Sequence, residues 1–137
     1  MKSLVIGMFV CLTLSAVVTT PAMAEFKAGL TAYIQGDYAT ALMEFRADNS
    51  AQAKYYLSLM YDRGDGVVQD RARSFEWLSR AAKQGLDVAQ ANLGIMYCEG
   101  YRVRKDMAEG LRWLRLAAEQ GLEEAQSVIL TASAGTL

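Results

Sequence analysis

The sequence predicts an all-α fold built from repeated pairs of antiparallel helices, and two observations carry this prediction. When the chain is shifted by 36 residues, segment 53–85 falls on segment 89–121 without a gap, and 14 of the 33 positions are identical. Within each segment, apolar residues recur at the spacing of a helix rather than a strand. A gap-free repeat of this length is typical of helical arrays in which each unit packs on its neighbours. We therefore expect six or seven helices and no strand.

The first helix of each unit is predicted from an apolar stripe that ends at a glycine. Ala53, Leu57 and Tyr61 recur every four residues, which places them on one helical face. The same residue types stand 36 positions later. Gly64 and Gly100 follow the two stripes, and glycine at that place ends a helix in the left-handed conformation.

The second helix of each unit is predicted to begin after an aspartate. Asp70 and Asp106 precede the next apolar stripe, and aspartate is a preferred N-cap residue. Glu109 follows Asp106 by three positions, so we expect the two to form a reciprocal capping pair. Trp77 and Trp113 stand at the same position of the repeat, which indicates packing residues rather than ligand-binding residues.

The repeat divides the chain into five segments. Before the two full units, the apolar residues form two helical stripes on either side of a Gly-Asp turn, which indicates a divergent helical hairpin. After them, a third copy starts and stops after one helix, and we expect it to cover the core as a terminal cap. The predicted segments are a signal peptide at 1–24, the hairpin at 25–50, repeats at 53–88 and 89–124, and the partial repeat at 125–137.

Residues 1–24 have the composition of an export signal. Lys2 supplies the positive start, residues 4–18 are largely apolar, and Ala22-Met23-Ala24 fits the small-x-small cleavage pattern. The alternative is an uncleaved membrane anchor, but this run is shorter than the roughly 20 residues that span a bilayer. We expect cleavage, a periplasmic or secreted protein, and no stable membrane insertion afterwards.

The composition argues against several kinds of function. The chain has no histidine, which removes His-based triads and the commonest metal ligand. Its 14 Lys and Arg residues nearly balance its 15 Asp and Glu residues, so nothing draws it to nucleic acid. No nucleophile and base stand at the spacing of a catalytic motif. We expect no enzyme activity, no cofactor and no metal.

The motifs of the two units resemble those of a known family. They fit the pattern Ala-x-x-x-Leu-Gly-x-x-Tyr, Gly-x-Gly-Val-x-x-Asp, Ala-x-x-x-x-Trp and Ala-Ala-x-x-Gly, which is similar to the Sel1-like repeat, a relative of the tetratricopeptide repeat. The resemblance implies a right-handed α-solenoid whose first helices line a concave face. It also implies an adaptor that holds another protein, and exported bacterial members of the family contact host proteins, envelope machinery or toxins.

Two positions depart from this pattern. Ser58 replaces the glycine that the second unit has as Gly94, so we expect a slightly wider helix contact in the first unit. Arg102 replaces the loop glycine that the first unit has as Gly66. If that position needs a positive φ, arginine costs about 1 kcal/mol or more. We therefore expect the loop at 99–105 to differ from the loop at 63–69.

We predict a partner-binding surface on the first helices, between their core stripes. The candidates are Tyr56 and Met60 in one unit and Asn92 and Met96 in the next, because these positions differ in part between units and tyrosine and methionine give large, adaptable contacts. The alternative is that all four pack against a neighbouring helix. The basic residues of the second loop, Arg102, Arg104 and Lys105, either attract an acidic partner or simply form a solvated loop.

The function predicted from these features is an exported scaffold that binds another protein or peptide in its concave groove. An immunity or inhibitor protein for an envelope-acting toxin is one alternative. A small secreted enzyme that binds or hydrolyses β-lactams is a second. Cys98 aligns with the polar Asp62, so we expect a partly exposed free thiol and a monomer, with a Cys98-linked dimer as the alternative.

Overall fold

The computed structural model of the chain describes residues 21–135, and these form seven α-helices and no strand. Consecutive helices pack as antiparallel pairs, so the predicted all-α solenoid of helix pairs is confirmed. Most of the predicted signal peptide lies outside the described residues, and residues 21–24 are the first turn of α1. The helices are α1 Pro21–Ile34, α2 Tyr38–Ala47, α3 Ala51–Arg63, α4 Arg71–Lys83, α5 Asp87–Glu99, α6 Met107–Glu119 and α7 Glu123–Ser133.

The predicted helix starts and ends are present in both units. Asp70 Oδ1 accepts a hydrogen bond from the backbone N–H of Arg73, and Asp106 does the same for Glu109, each at 3.0 Å. Gly64 and Gly100 end α3 and α5 with φ values of 78° and 72°. These caps satisfy backbone groups that a helix leaves unpaired at its ends.

The reciprocal half of the capping pair at Asp106 is absent, so that prediction was wrong. The backbone N–H of Asp106 donates to the carbonyl of Tyr97 at 2.8 Å, which leaves no donor for Glu109. The Glu109 carboxylate instead accepts from Arg112 at 2.6 and 2.9 Å and from Trp113 Nε1 at 2.8 Å. A capping box needs a free N-cap N–H, and the preceding loop has already used it.

The core consists of three apolar clusters in sequence along the stack. The first joins the N-terminal hairpin to α3, the second joins α4 to α5 and α6, and the third joins α5 and α6 to α7. Trp113 is buried in the second cluster, and Trp77 packs half-buried against the first. Each helix pair therefore buries its apolar face against the next pair, as in a solenoid.

Polar contacts repeat with the same period at the junctions between units. Gln84 Nε2 donates to the carbonyl of Asn49 at 3.2 Å, and Gln120 Nε2 donates to the carbonyl of Gly85 at 2.9 Å. The buried Lys54 Nζ also donates to Asn49 and Gln84 at 2.6 to 2.9 Å. These bonds tie the end of each second helix to the preceding junction.

The second unit is packed more tightly than the first, in line with the glycine difference in the sequence. A Cβ on Gly94 would lie 2.8 Å from the carbonyl oxygen of Gly110, so α5 and α6 meet backbone to backbone. The first unit has the buried serines Ser58 and Ser74 at the corresponding positions. The two serine side chains occupy space between α3 and α4, whereas the two glycines leave no side chain between α5 and α6.

Cys98 is 0% exposed, so the prediction of a partly exposed thiol was wrong. The reason is the close crossing of α5 and α6: a Cβ on Gly110 would lie 2.4 Å from Cys98 Sγ, so the sulfur fills the space that Gly110 leaves. Burial raises the pKa of the Cys98 thiol, the positive charge of Lys105 opposing this and the negative charge of Glu99 adding to it. In this structure the sulfur has no surface on which a second chain could form a disulfide.

Candidate partner-binding groove

A cleft with a volume of about 240 Å³ lies where α3, α4 and α5 meet. One wall comes from α3, the facing wall comes from α5, and α4 supplies apolar residues between them. Among the lining residues are Tyr55, Leu59, Phe75, Asn92, Met96 and Arg102. The cleft therefore spans two consecutive units and exists only because the units stack.

Tyr55 and Asn92 connect the two walls of the cleft. The Asn92 side-chain amide donates a hydrogen bond to the Tyr55 hydroxyl at 3.3 Å, and both side chains are half-buried. This contact is long for a neutral N–H···O bond, so it constrains the two side chains only weakly. Both groups keep the capacity for a further polar partner, since a hydroxyl and an amide each offer donors and acceptors.

Two of the four predicted surface residues, Asn92 and Met96, line this cleft. The other two do not. Met60 is fully buried in the first cluster and offers no surface to a partner. Tyr56 packs among the aromatic rings of the N-terminal hairpin, with ring centroids 5.2 Å from Phe45 and 5.5 Å from Tyr33. The packing alternative therefore describes these two positions.

The position that sequence reasoning missed is Tyr55, and the repeat register explains why. Tyr55 corresponds to Ala91, and both face the following unit, where Ala91 packs in the cluster that includes α7. Tyr56 corresponds to Asn92, and both face the preceding unit. In the first full unit the preceding unit is the aromatic hairpin, so Tyr56 is covered. The one available signal in the sequence was the size of the side chain, because the first unit has tyrosine at position 55 where the second unit has alanine at position 91.

The loop at 99–105 closes the cleft at one end and follows the same path as its counterpart, so the prediction that the two loops differ was wrong. Arg102 has a φ of 64° and Gly66 a φ of 70°, and Arg102 is the only non-glycine residue with positive φ in the described chain. The N–H of Tyr101 donates to Met96 at 2.9 Å, as that of Asp65 donates to Met60 at 3.0 Å. These backbone bonds fix the loop, and the arginine adopts the strained conformation.

Two side-chain contacts accompany this strain. Arg102 Nη1 donates to Asp62 Oδ1 in a salt bridge that reaches back to the preceding unit. The guanidinium also lies over the Tyr101 ring, 4.5 Å from its centroid. Partial burial alone lowers the pKa of Arg102, but the hydrogen bond and charge of Asp62 outweigh it and raise that pKa.

The described residues contain no group of three or more His, Cys, Asp and Glu side chains that could hold a metal ion. Within the same part of the chain, no helix is both long and apolar enough to cross a membrane. Two serines, Ser58 and Ser74, line the cleft, and the Ser58 hydroxyl donates a hydrogen bond to the Tyr55 carbonyl at 2.7 Å.

Comparison with known proteins assigns the repeat to a family. The profile of the Sel1 repeat matches residues 51–86 and 87–122, which is more than half of the chain. No curated protein sequence matches. One similar solved structure is a Sel1 repeat protein from Oxalobacter formigenes, with 37% identity, 81% of this chain and 47% of that chain covered, and a TM-score of 0.72.

A second similar structure is c5321, a protective antigen present in uropathogenic Escherichia coli strains that displays the SLR fold. It is 42% identical over 77% of this chain and 24% of its own length, with a TM-score of 0.67. The present chain thus spans less than half the length of either protein.

Proposed function

This chain belongs to the Sel1 repeat family, and we propose that it is a scaffold that binds another protein through the cleft between α3, α4 and α5. Proteins of this repeat family are in general interaction scaffolds and generally non-catalytic. Within that general function, the cleft is the surface that we assign to the partner.

The observation that carries the proposal is the pairing of polar and apolar groups on two successive units. Asn92 and Tyr55 present an amide and a hydroxyl above an apolar wall that includes Phe75 and Met96. Buried aromatic and methionine side chains with a few directed polar groups are typical of the energetically important centre of a protein interface. The volume of about 240 Å³ is below the roughly 300–1,000 Å³ of small-molecule pockets, so the cleft fits side chains of a peptide better than a cofactor.

We propose in addition that the protein is exported and acts in the periplasm or outside the cell. This proposal rests on Lys2, on the largely apolar residues 4–18 and on the small residues before position 25. Cell fractionation of the producing bacterium tests it. Exclusive recovery from the cytoplasm, with the N-terminal residues still attached, contradicts it.

Site-specific photo-crosslinking tests the cleft. A photoreactive phenylalanine analogue replaces Asn92 in one protein and Met43 in another, since Met43 is 62% exposed on α2 and lies outside the cleft. We expect a discrete crosslinked protein from position 92 and none from position 43. The identified partner should then bind Met96→Ala at least ten-fold more weakly than the parent chain and bind Met43→Ala equally well.

The proposal fails if the same adducts form from both positions, or if Met96→Ala binds like the parent chain. Circular dichroism of each variant confirms that the helices are retained. The methionine pair is a matched control, because both substitutions remove the same side chain and only one of them lines the cleft.

A further inference from the structure

Arg102 and Asp62 form a pair that the repeat itself does not need. The first unit has Gly66 at the position of Arg102 and the same loop conformation, and the second unit has Cys98 at the position of Asp62. Asp62 also lies in the last turn of α3, where a negative charge opposes the helix dipole. Each residue therefore stands at a position that favours a different residue for local stability.

The pair lies inside the cleft rather than beside it. Both residues line it, and the side chains are 21% and 34% exposed for Arg102 and Asp62. The strained backbone and the contact with the Tyr101 ring together hold the guanidinium at this end of the cleft. A guanidinium held in place by stacking binds a carboxylate with little loss of side-chain freedom.

Residues 99–105 contain Arg102, Arg104 and Lys105 against the single carboxylate of Glu99, so a net charge of +1 remains after Asp62 is counted. Arg104 and Lys105 are exposed, and no carboxylate of the described residues lies within 4.0 Å of either. The apolar wall of the cleft, with Leu59, Phe75 and Ile95, begins next to this basic end. The surface is thus complementary to a segment that carries a negative charge next to a large apolar side chain.

Resting on the proposed function, we propose that the partner of this cleft is a peptide segment with an acidic residue beside a large apolar residue, and that its carboxylate replaces Asp62 on Arg102. In the free chain Asp62 occupies the guanidinium, while the loop backbone and the Tyr101 ring hold the guanidinium at this end of the cleft. On binding, Asp62 turns to solvent, for which its partial exposure leaves room. The apolar side chain packs against Phe75 and its neighbours.

Selection of a random peptide library on the purified chain tests this inference, with three variants alongside. Arg102→Gln removes the proposed ligand. Arg104→Gln removes the same charge from the same loop but from a residue that does not line the cleft. Asp62→Asn removes the internal competitor. Peptides enriched on the parent chain are then synthesised, and their binding to every protein is measured by fluorescence anisotropy.

We expect the parent chain and Arg104→Gln to enrich peptides with Asp or Glu beside a large apolar residue, and Arg102→Gln to lose this preference. For a selected peptide, Arg102→Gln should weaken binding at least ten-fold, Arg104→Gln less than three-fold, and Asp62→Asn should strengthen it. Enrichment of basic or uncharged peptides, equal losses in the two arginine variants, weaker binding by Asp62→Asn, or no enrichment overturns the inference.

The result also separates this inference from the function on which it rests. If the selected peptides show no acidic preference but still lose binding with Met96→Ala, the cleft is a docking site and only the role of Arg102 is wrong. If binding is unaffected by both Met96→Ala and Arg102→Gln, the peptides bind elsewhere, and both proposals are wrong. Thermal melting of each variant shows whether the fold is intact.

Discussion

At residue 102 the chain carries an arginine where the loop geometry favours glycine. The left-handed conformation there costs a residue with a Cβ about 1–2 kcal/mol, while a partly exposed salt bridge such as that with Asp62 returns only about 0–1 kcal/mol. The contact with the exposed Tyr101 ring adds about 0.5–1 kcal/mol, so the favourable terms only offset the strain and give arginine no net gain in stability. Arg102 is therefore better explained by its position at the cleft than by its contribution to folding.

This balance can be measured with two substitutions at the same position. Arg102→Gly and Arg102→Ala both remove the salt bridge, but only alanine keeps the strain at a φ of 64°. We expect the glycine variant to be more stable than the alanine variant by about 1 kcal/mol in urea denaturation. A more stable alanine variant would mean that the loop does not hold the left-handed conformation in solution.

Glu109 gives a second test at residue scale, through pH. Its hydrogen bonds from Arg112, and to a lesser degree that from Trp113, lower the pKa of the carboxyl against the opposing effect of burial. A lowered pKa in the folded state adds stability above the unfolded pKa of about 4.3, and this stability is lost as the pH falls through the folded value.

We therefore expect Glu109→Gln to be less stable than the parent chain at pH 7 by up to about 1 kcal/mol, since the pair is partly exposed. Below about pH 4 the difference should shrink because the unfolded carboxyl takes up a proton, and it should vanish once the pH has fallen through the lowered pKa of the folded carboxyl. Thermal melting at pH 7, 5 and 3 measures it. A difference that stays constant over this range would show that the charge of Glu109 contributes nothing.

At the scale of the helix, the sequence predicted those features that depend only on residues close by in the chain. The aspartate caps and the terminal glycines act within a few residues, so the ends of α3 to α6 followed from the repeat. The hydrogen bonds of Glu109 could not be predicted in this way, because the backbone N–H of Asp106, the expected donor, already donates to the carbonyl of Tyr97. The burial of Cys98 could not be predicted from local sequence either, because it depends on how closely α6 crosses α5.

That crossing supplies the prediction at this scale. On Gly110 a Cβ would lie 2.7 Å from the Gly94 carbonyl and 2.8 Å from the Cys98 backbone nitrogen. Backbone atoms of α5 cannot move aside as the end of a side chain can, so α5 and α6 must separate. We expect Gly110→Ala to lower the free energy of unfolding by about 2–3 kcal/mol.

The matched control is Ser74→Ala, at the same position of the first unit, which should change stability by less than about 1 kcal/mol. Guanidinium denaturation compares the two. Thiol labelling gives an independent readout: Cys98 should react with a maleimide faster in Gly110→Ala than in the parent chain, since the sulfur loses its cover. Equal labelling rates and equal stability in the two variants would show that the tight crossing is absent in solution.

At the scale of the whole molecule, the surface depends on which unit lies next to which. Tyr56 and Asn92 are equivalent positions of the repeat, but Tyr56 packs among aromatic rings while Asn92 lines the cleft. The reason is that an aromatic hairpin precedes one unit and a repeat precedes the other. A repeat period predicts which residues are equivalent, but equivalence fixes burial only where the neighbours are also equivalent. The candidate surface was therefore half predicted: Asn92 and Met96 line the cleft, while Tyr55 became visible only once the units were stacked.

The same dependence on neighbours makes the last helix a test of the stack. Ala125 of α7 is fully buried against the third cluster, and Val128 and Ile129 pack on it beside Leu114. Leu130 is 70% exposed at the position of Ser58 and Gly94, on the face where earlier units receive their second helix.

Deletion of residues 122–137 uncovers the third cluster, and at about 25 cal/mol per Å² of apolar surface we expect a loss of several kcal/mol. Because stability in a solenoid is shared between neighbours, the loss should appear first in α5 and α6, as faster amide hydrogen exchange there than in α1 and α2. Leu130→Ala is the control and should melt within about 2 °C of the parent chain. A deletion variant that melts like the parent chain would show that α7 adds nothing to the core below it.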